Sequence, residues 1–220
     1  MKLRDSDVLL LLAAYAAYTW FKGETAVSLP SGAGIPMQGD LIKVDRVPTP
    51  MDPLGFPALL NGALQIVERG VTLDVNPSEF PKPPAPDPDY DLPARVFAMQ
   101  AAFECGDGRS CYHWNLFNVT TVAGMYYLNP ESDTVHKYAV YTYPLQAAVA
   151  ALQLIKRKWP DAYKAAYSGA VTAYARALKP EGKPQYFEAD LGVYTAGMLA
   201  RGKKFGWDSG VAGAALRVVT

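Results

Sequence analysis

Thirteen of the chain's 18 prolines fall between Pro30 and Pro93, and no other feature limits its folding as firmly. Each proline fixes φ, lacks a backbone donor and drives its predecessor toward extended conformations. Leu29-Pro30-Ser31-Gly32, Gly34-Ile35-Pro36 and Pro48-Thr49-Pro50-Met51-Asp52-Pro53 therefore read as extended arm. Residues 81–93 (PKPPAPDPDYDLP) read as a semi-rigid acidic spacer, either a reach-setting tether or an arm wrapped over neighbouring subunits. One helical island interrupts the arm. Leu60, Leu64 and Val67 recur at helical spacing over residues 57–69, with Pro57 suited to a first turn and Gly70 to a C-terminal cap. A helix this short must dock on another surface to persist. Gly32-Ala33-Gly34 is no phosphate loop, since neither Lys-Ser/Thr nor a strand–helix frame follows.

Charge divides the chain at the same places. Lys plus Arg and Asp plus Glu both number 21, and a net charge of zero argues against a nucleic-acid partner. Residues 30–93 carry four positive and nine negative charges, while residues 94–220 carry fourteen and nine. An acidic arm thus precedes a basic C-terminal half. Before both lies residues 8–21 (VLLLLAAYAAYTWF), flanked by Lys2, Arg4 and Lys22. As a helix it rises about 21 Å against a hydrocarbon core of roughly 30 Å. A membrane anchor, a helix buried in an assembly and a secretory signal all fit that length, and Tyr15, Tyr18 and Trp20 favour the anchor.

Residues 94–207 carry the signals of a folding unit. A helix is predicted over 94–105, ending at Gly106-Asp107-Gly108. Strands over 119–128 and 135–143 flank the turn Asn129-Pro130-Glu131-Ser132-Asp133. Pro144 opens a helix whose Leu145, Val149, Leu152, Ile155 and Trp159 share a stripe, with Pro160 as the stop. Further helices are expected near 161–167, 170–178 and 186–203. The fold class is α+β: a mostly helical domain with a small antiparallel lobe, an arm over 26–93, a hydrophobic helix within 1–25 and a tail over 208–220.

Glu104 stands at the end of the first of those helices, beside Phe103. The helix dipole and an apolar setting both hold a proton on a carboxylate placed there, as glycoside cleavage requires of a general acid. The surrounding string, Gln100-Ala101-Ala102-Phe103-Glu104-Cys105-Gly106-Asp107-Gly108 followed by Trp114-Asn115-Leu116-Phe117-Asn118-Val119-Thr120, resembles the peptidoglycan glucosaminidases of the lysozyme superfamily. In their flagellar and autolysin members A-x-x-E-S-G-W-G ends the catalytic helix and N-L-F-G-I/V opens the β-lobe. Tyr138-Ala139-Val140-Tyr141-Thr142-Tyr143, Lys158-Trp159-Pro160-Asp161-Ala162-Tyr163 and Gly192-Val193-Tyr194-Thr195-Ala196 continue the likeness in order, over about residues 95–205.

That resemblance implies a lysozyme-like fold acting on the β-1,4 bonds of murein glycan. Glu104 is then the general acid and Tyr194 faces the scissile bond. Asn115 and Phe117 shape the glycan groove, and Trp114 and Tyr141 offer aromatic faces to sugar. Three positions depart from the pattern: Ser-Gly-Trp-Gly is Cys105-Gly106-Asp107-Gly108, and the glycine of N-L-F-G is Asn118. No second carboxylate aligns; Asp107, Glu131 and Asp133 are the nearest. Hydrolysis then relies on the substrate's N-acetyl group, or the sugar's 6-hydroxyl closes on C1 as in lytic transglycosylases.

Cys105 and Cys111 bracket the loop after Glu104, and their separation permits a disulfide there. His113 and His136 lack metal-binding spacing, so neither metal nor cofactor is expected, and a Cys111–His136 pairing has no family context. Asn118-Val119-Thr120 matches the glycosylation pattern by chance. The expected partners are peptidoglycan strands and, through the N-terminal helix and arm, a membrane or other proteins of a virion or envelope complex. The expected setting is a phage virion or the bacterial periplasm. The competing class is a structural protein with a degenerate, glycan-binding domain of the same fold.

Overall fold

The computed structural model describes residues 41–70, 83–121, 124–129 and 133–211. The apolar segment 8–21 and the tail 212–220 lie outside them. Among the described residues no helix is long and apolar enough to cross a membrane. The described chain is mixed α+β, with six α-helices and one three-stranded sheet. The helices are α1 (Phe56–Arg69), α2 (Asp91–Glu104), α3 (Pro144–Lys158), α4 (Pro160–Tyr167), α5 (Val171–Leu178) and α6 (Leu191–Phe205).

Helix α2 is the centre of the fold. Every residue from Val96 to Ala102 is buried, so the helix is enclosed all round rather than amphipathic. It packs against α1, α4 and α6, and α1 also packs on α3. Phe97 meets Tyr163 of α4 and, edge-on, Tyr174 of α5, with ring centroids 5.8 and 5.5 Å away. Helix α1 starts with Pro57 in its first turn and stops where Gly70 turns left-handed (φ 62°) and caps the carbonyls of Ile66 and Val67. Phe56, Leu60, Ala63 and Leu64 are fully buried.

The folded unit therefore takes in α1, which the sequence assigned to the arm before residue 94. The proline-rich spacer also belongs to it. A proline-rich run has few N–H groups to pair with its carbonyls, and α1 supplies side-chain amides to the residues between the prolines: Gln65 donates to the Ala85 carbonyl (2.7 Å) and Asn61 to that of Asp87 (2.8 Å). Asn61 accepts the Asp87 N–H in return, at 2.9 Å. Residues 83–90 are thus laid on their own domain and are not a free tether.

The sheet runs in the order β1 (Leu41–Lys43), β2 (Gly124–Asn129), β3 (Asp133–Ala139). Strands β2 and β3 form the expected antiparallel pair, with Tyr127 opposite Tyr138. Strand β1 adds parallel to β2, with Ile42 opposite Met125. The sequence showed only arm there. Beyond β1 the chain becomes a strap across the loop that follows α2. His113 N–H donates to the Val47 carbonyl, Thr49 N–H to Cys111 and Met51 N–H to Gly108, at 2.9–3.0 Å. The donors of Thr49 and Met51 alternate with Pro48 and Pro50, which is how a Pro-Thr-Pro-Met segment can still pair.

Candidate active site

Glu104 is the last residue of α2, at the negative end of the helix dipole. It is partly exposed as a residue, while protein atoms crowd and desolvate the carboxyl. Burial raises its pKa above the ordinary carboxylate range, against the opposing pull of hydrogen bonds from Tyr194 and Asn118. Tyr194 donates its hydroxyl to Oε1 at 2.5 Å, and Asn118 Nδ2 donates to Oε2 at 3.0 Å. The same amide nitrogen holds the Glu104 carbonyl at 2.9 Å.

Each partner is placed by its own local chemistry. Asn118 has φ 49°, a left-handed conformation that asparagine tolerates better than most side chains. The position that the resembled motif fills with glycine thus keeps a left-handed backbone here and gains an amide on Glu104. Tyr194 sits in the first turn of α6, whose N-cap Asp190 accepts the N–H groups of Gly192 and Val193 at 2.8 and 3.1 Å. Its ring stacks on Phe187, with centroids 3.7 Å apart, and meets Phe103 edge-on at 5.0 Å. Burial and the neighbouring Glu104 charge keep the Tyr194 phenol neutral by raising its pKa well above normal.

The loop after Glu104 is held from two sides. Asp107 (φ 60°) is ion-paired to Arg201 at 3.1 Å and Lys204 at 2.5 Å, both from α6, and the Lys204 bond heads the effects that lower its pKa against burial. A carboxylate so committed is not free to serve as the second acid or base. On the other side Gly108 (φ 83°) lies under the strap, where a Cβ would stand 2.1 Å from the Met51 carbonyl oxygen. Cys105 and Cys111 are both buried and side by side, yet they carry free thiols hydrogen-bonded to each other. The expected bridge is not formed; the strap and the Asp107 ion pairs do the pinning.

Two residues expected to shape a groove are buried instead. Asn115 is buried and fully engaged: Nδ2 donates to the Val119 and Ala139 carbonyls at 2.9 and 3.1 Å, and Oδ1 accepts the Val119 N–H at 2.8 Å. It ties the loop to the end of β3. Phe117 is buried in the main core and offers only its carbonyl, to Tyr186 at 2.5 Å. Neither side chain can touch a glycan without unfolding the loop. Tyr141 is nearly covered, in a small cluster with Ala147 and Ala150. Trp114 packs on that cluster and stays partly exposed, so among these aromatic candidates it keeps a face for ligand. The side chains of Glu131 and Asp133 lie outside the described residues.

Gln100 and Tyr174 were missed as site residues. Both are fully buried and reach Glu104 through Tyr194. A glutamine within the apolar run from Val96 to Phe103 was the one available signal. Among the described residues no cluster of His, Cys, Asp and Glu could hold a metal ion.

No family model, curated protein or solved structure matches the chain. A functional reading therefore rests on the site.

Proposed function

We propose that this is a lysozyme-like peptidoglycan glycosidase with Glu104 as its general acid. The observation that carries the reading is a carboxyl held protonatable by burial, on a residue that is itself partly exposed, and already flanked by two donors, Tyr194 and Asn118. In the proposed step the Glu104 proton passes to the glycosidic oxygen as the C1–O bond breaks. The carboxylate left behind is met by hydrogen bonds in place before the reaction, so little reorganisation is needed. It can then take a proton from the water that attacks C1.

With Asp107 committed to Arg201 and Lys204, the second role falls to the substrate itself. Participation of the N-acetyl group gives hydrolysis, which we favour; attack by the 6-hydroxyl gives an anhydro product. The basic half of the chain suits an anionic wall, and a virion-borne enzyme that opens the wall during entry is the setting we propose.

The test is mass spectrometry of muropeptides released by the wild-type chain and by Glu104→Gln. Reduced GlcNAc ends identify a glucosaminidase, reduced MurNAc ends a muramidase, and anhydro-MurNAc a transglycosylase. Clearing of a murein zymogram by Glu104→Gln at the wild-type rate would overturn the role of Glu104. Absence of products from both proteins would favour a glycan-binding structural domain.

A further inference from the structure

Gln100 is the one polar side chain among the fully enclosed residues of α2. Its amide is gripped at both ends. The Tyr174 hydroxyl lies on Oε1, and Nε2 lies 3.1 Å from the Tyr194 hydroxyl, which in turn lies 2.5 Å from Glu104 Oε1. The direction of every proton in this row follows from counting donors and acceptors.

Tyr174 is fully buried, and among the described residues its hydroxyl meets Gln100 alone. A phenol proton with no acceptor in such a place costs about 1–3 kcal/mol. Tyr174 therefore donates, and Gln100 must present its oxygen to it. The Gln100 NH2 then faces Tyr194, whose oxygen accepts it. Tyr194 has one proton left to place, and Glu104 Oε1 receives it. The three hydrogen bonds run one way, toward the carboxyl. Oε1 accepts whether Glu104 is charged or neutral. On the opposite oxygen Asn118 Nδ2 also donates, but at 3.0 Å against 2.5 Å; a carbonyl oxygen accepts better than a hydroxyl oxygen, so the carbonyl takes the shorter Tyr194 bond and the hydroxyl the longer one.

We infer that Tyr174 and Gln100 are positioning residues that, through Tyr194, confine the transferable proton of Glu104 to Oε2. The inference deepens the glycosidase reading and rests on it for its catalytic meaning: the glycosidic oxygen must then dock on the Asn118 side of Glu104. Other titratable groups that bear on the carboxyl are Tyr186, from the connection before α6, and Cys105 at the helix end. Burial holds both of them protonated, so neither competes for the proton at Oε2.

The test removes the row without leaving a buried orphan. The double variant Gln100→Met, Tyr174→Phe replaces both polar partners together, and Tyr174→Phe alone frees the amide to flip. Isotope-edited infrared spectra of the protonated Glu104 carboxyl, with 13C-glutamate and Glu104→Gln as the subtraction, read which oxygen is the carbonyl. Wild type should give one carbonyl band, lowered by the Tyr194 hydrogen bond. Both variants should give two bands as the proton samples Oε1 and Oε2. In muropeptide release kcat should fall about tenfold with KM unchanged, a fraction of the ~10²–10⁴ that a general acid supplies. A single unmoved band in folded variants with wild-type kcat would overturn the relay. Split bands without muropeptide release by wild type would keep the relay and sink the glycosidase reading. A lowered melting temperature with one unmoved band would mark a merely structural role and overturn the relay as well.

Discussion

Two glycines with the same handedness but different surroundings measure how firmly the strap holds the site loop. Gly70 (φ 62°) caps α1 with nothing within 4 Å of a built Cβ. Gly108 (φ 83°) would place its Cβ 2.1 Å from the Met51 carbonyl oxygen. Alanine at Gly70 pays only the left-handed backbone cost, about 1–2 kcal/mol. Alanine at Gly108 pays that cost and also drives the strap off the loop. The hydrogen bonds from Met51 to Gly108, Thr49 to Cys111 and Trp114 to Thr49 Oγ1 are the ones at risk, each worth about 1 kcal/mol net. Gly108→Ala should therefore cost about 2–3 kcal/mol more than Gly70→Ala. For a unit of this size that is about 4–12 °C in Tm, since 1 kcal/mol moves Tm by roughly 2–4 °C. Paired thermal melts followed by circular dichroism read the difference directly. Equal melting temperatures for the two variants would refute the strap's role in holding the loop.

Two further outcomes are expected. Burial raises the Glu104 pKa, so the folded state holds a proton that the unfolded chain has released, and stability falls as pH rises from the ordinary carboxylate value through the raised one. Glu104→Gln should accordingly gain in Tm relative to wild type as pH is raised from 4 to 8; a constant difference across that range would contradict the assigned burial effect. A fragment of residues 94–207 lacks α1 and uncovers the faces of α2 and α3 that Phe56, Leu60 and Leu64 occupy. It should be aggregated or molten by near-ultraviolet circular dichroism, whereas residues 41–211 should melt cooperatively; a cooperative melt from the shorter piece would restore the boundary at 94.

What the sequence made legible was local. Pro57 and Gly70 bound α1 because a ring-fixed φ and a left-handed cap act on their own residues. Pro144 opens α3 as expected, while Pro160 both stops α3 and starts α4, a double duty that a breaker signal alone does not distinguish. Glu104 could be picked out because a helix end and apolar neighbours announce a perturbed carboxylate. Residues 41–51 and 83–87 of the arm are extended as read, but an extended segment does not name its partner. Leu41–Lys43 pairs with residues more than eighty positions on, and nothing in three residues encodes that. The role of Gln100 was hidden for the same reason, since its partners Tyr174 and Tyr194 lie on α5 and α6. Asn115 and Phe117 show the converse limit: a short motif locates a loop but not which of its side chains face outward.

The strap also has a mechanical consequence. The described chain enters the fold through β1, whose three residues pair parallel to β2, and passes at once over Gly108 and Cys111. A pull on the chain from its N-terminal side meets these bonds before it meets α1 or any helix of the core. The force would lift the strap from the loop that ends the Glu104 helix while the helical body stays intact. In this architecture tension on the proline-rich arm is delivered to the site first, so a load-bearing arm and the site loop form one mechanical element.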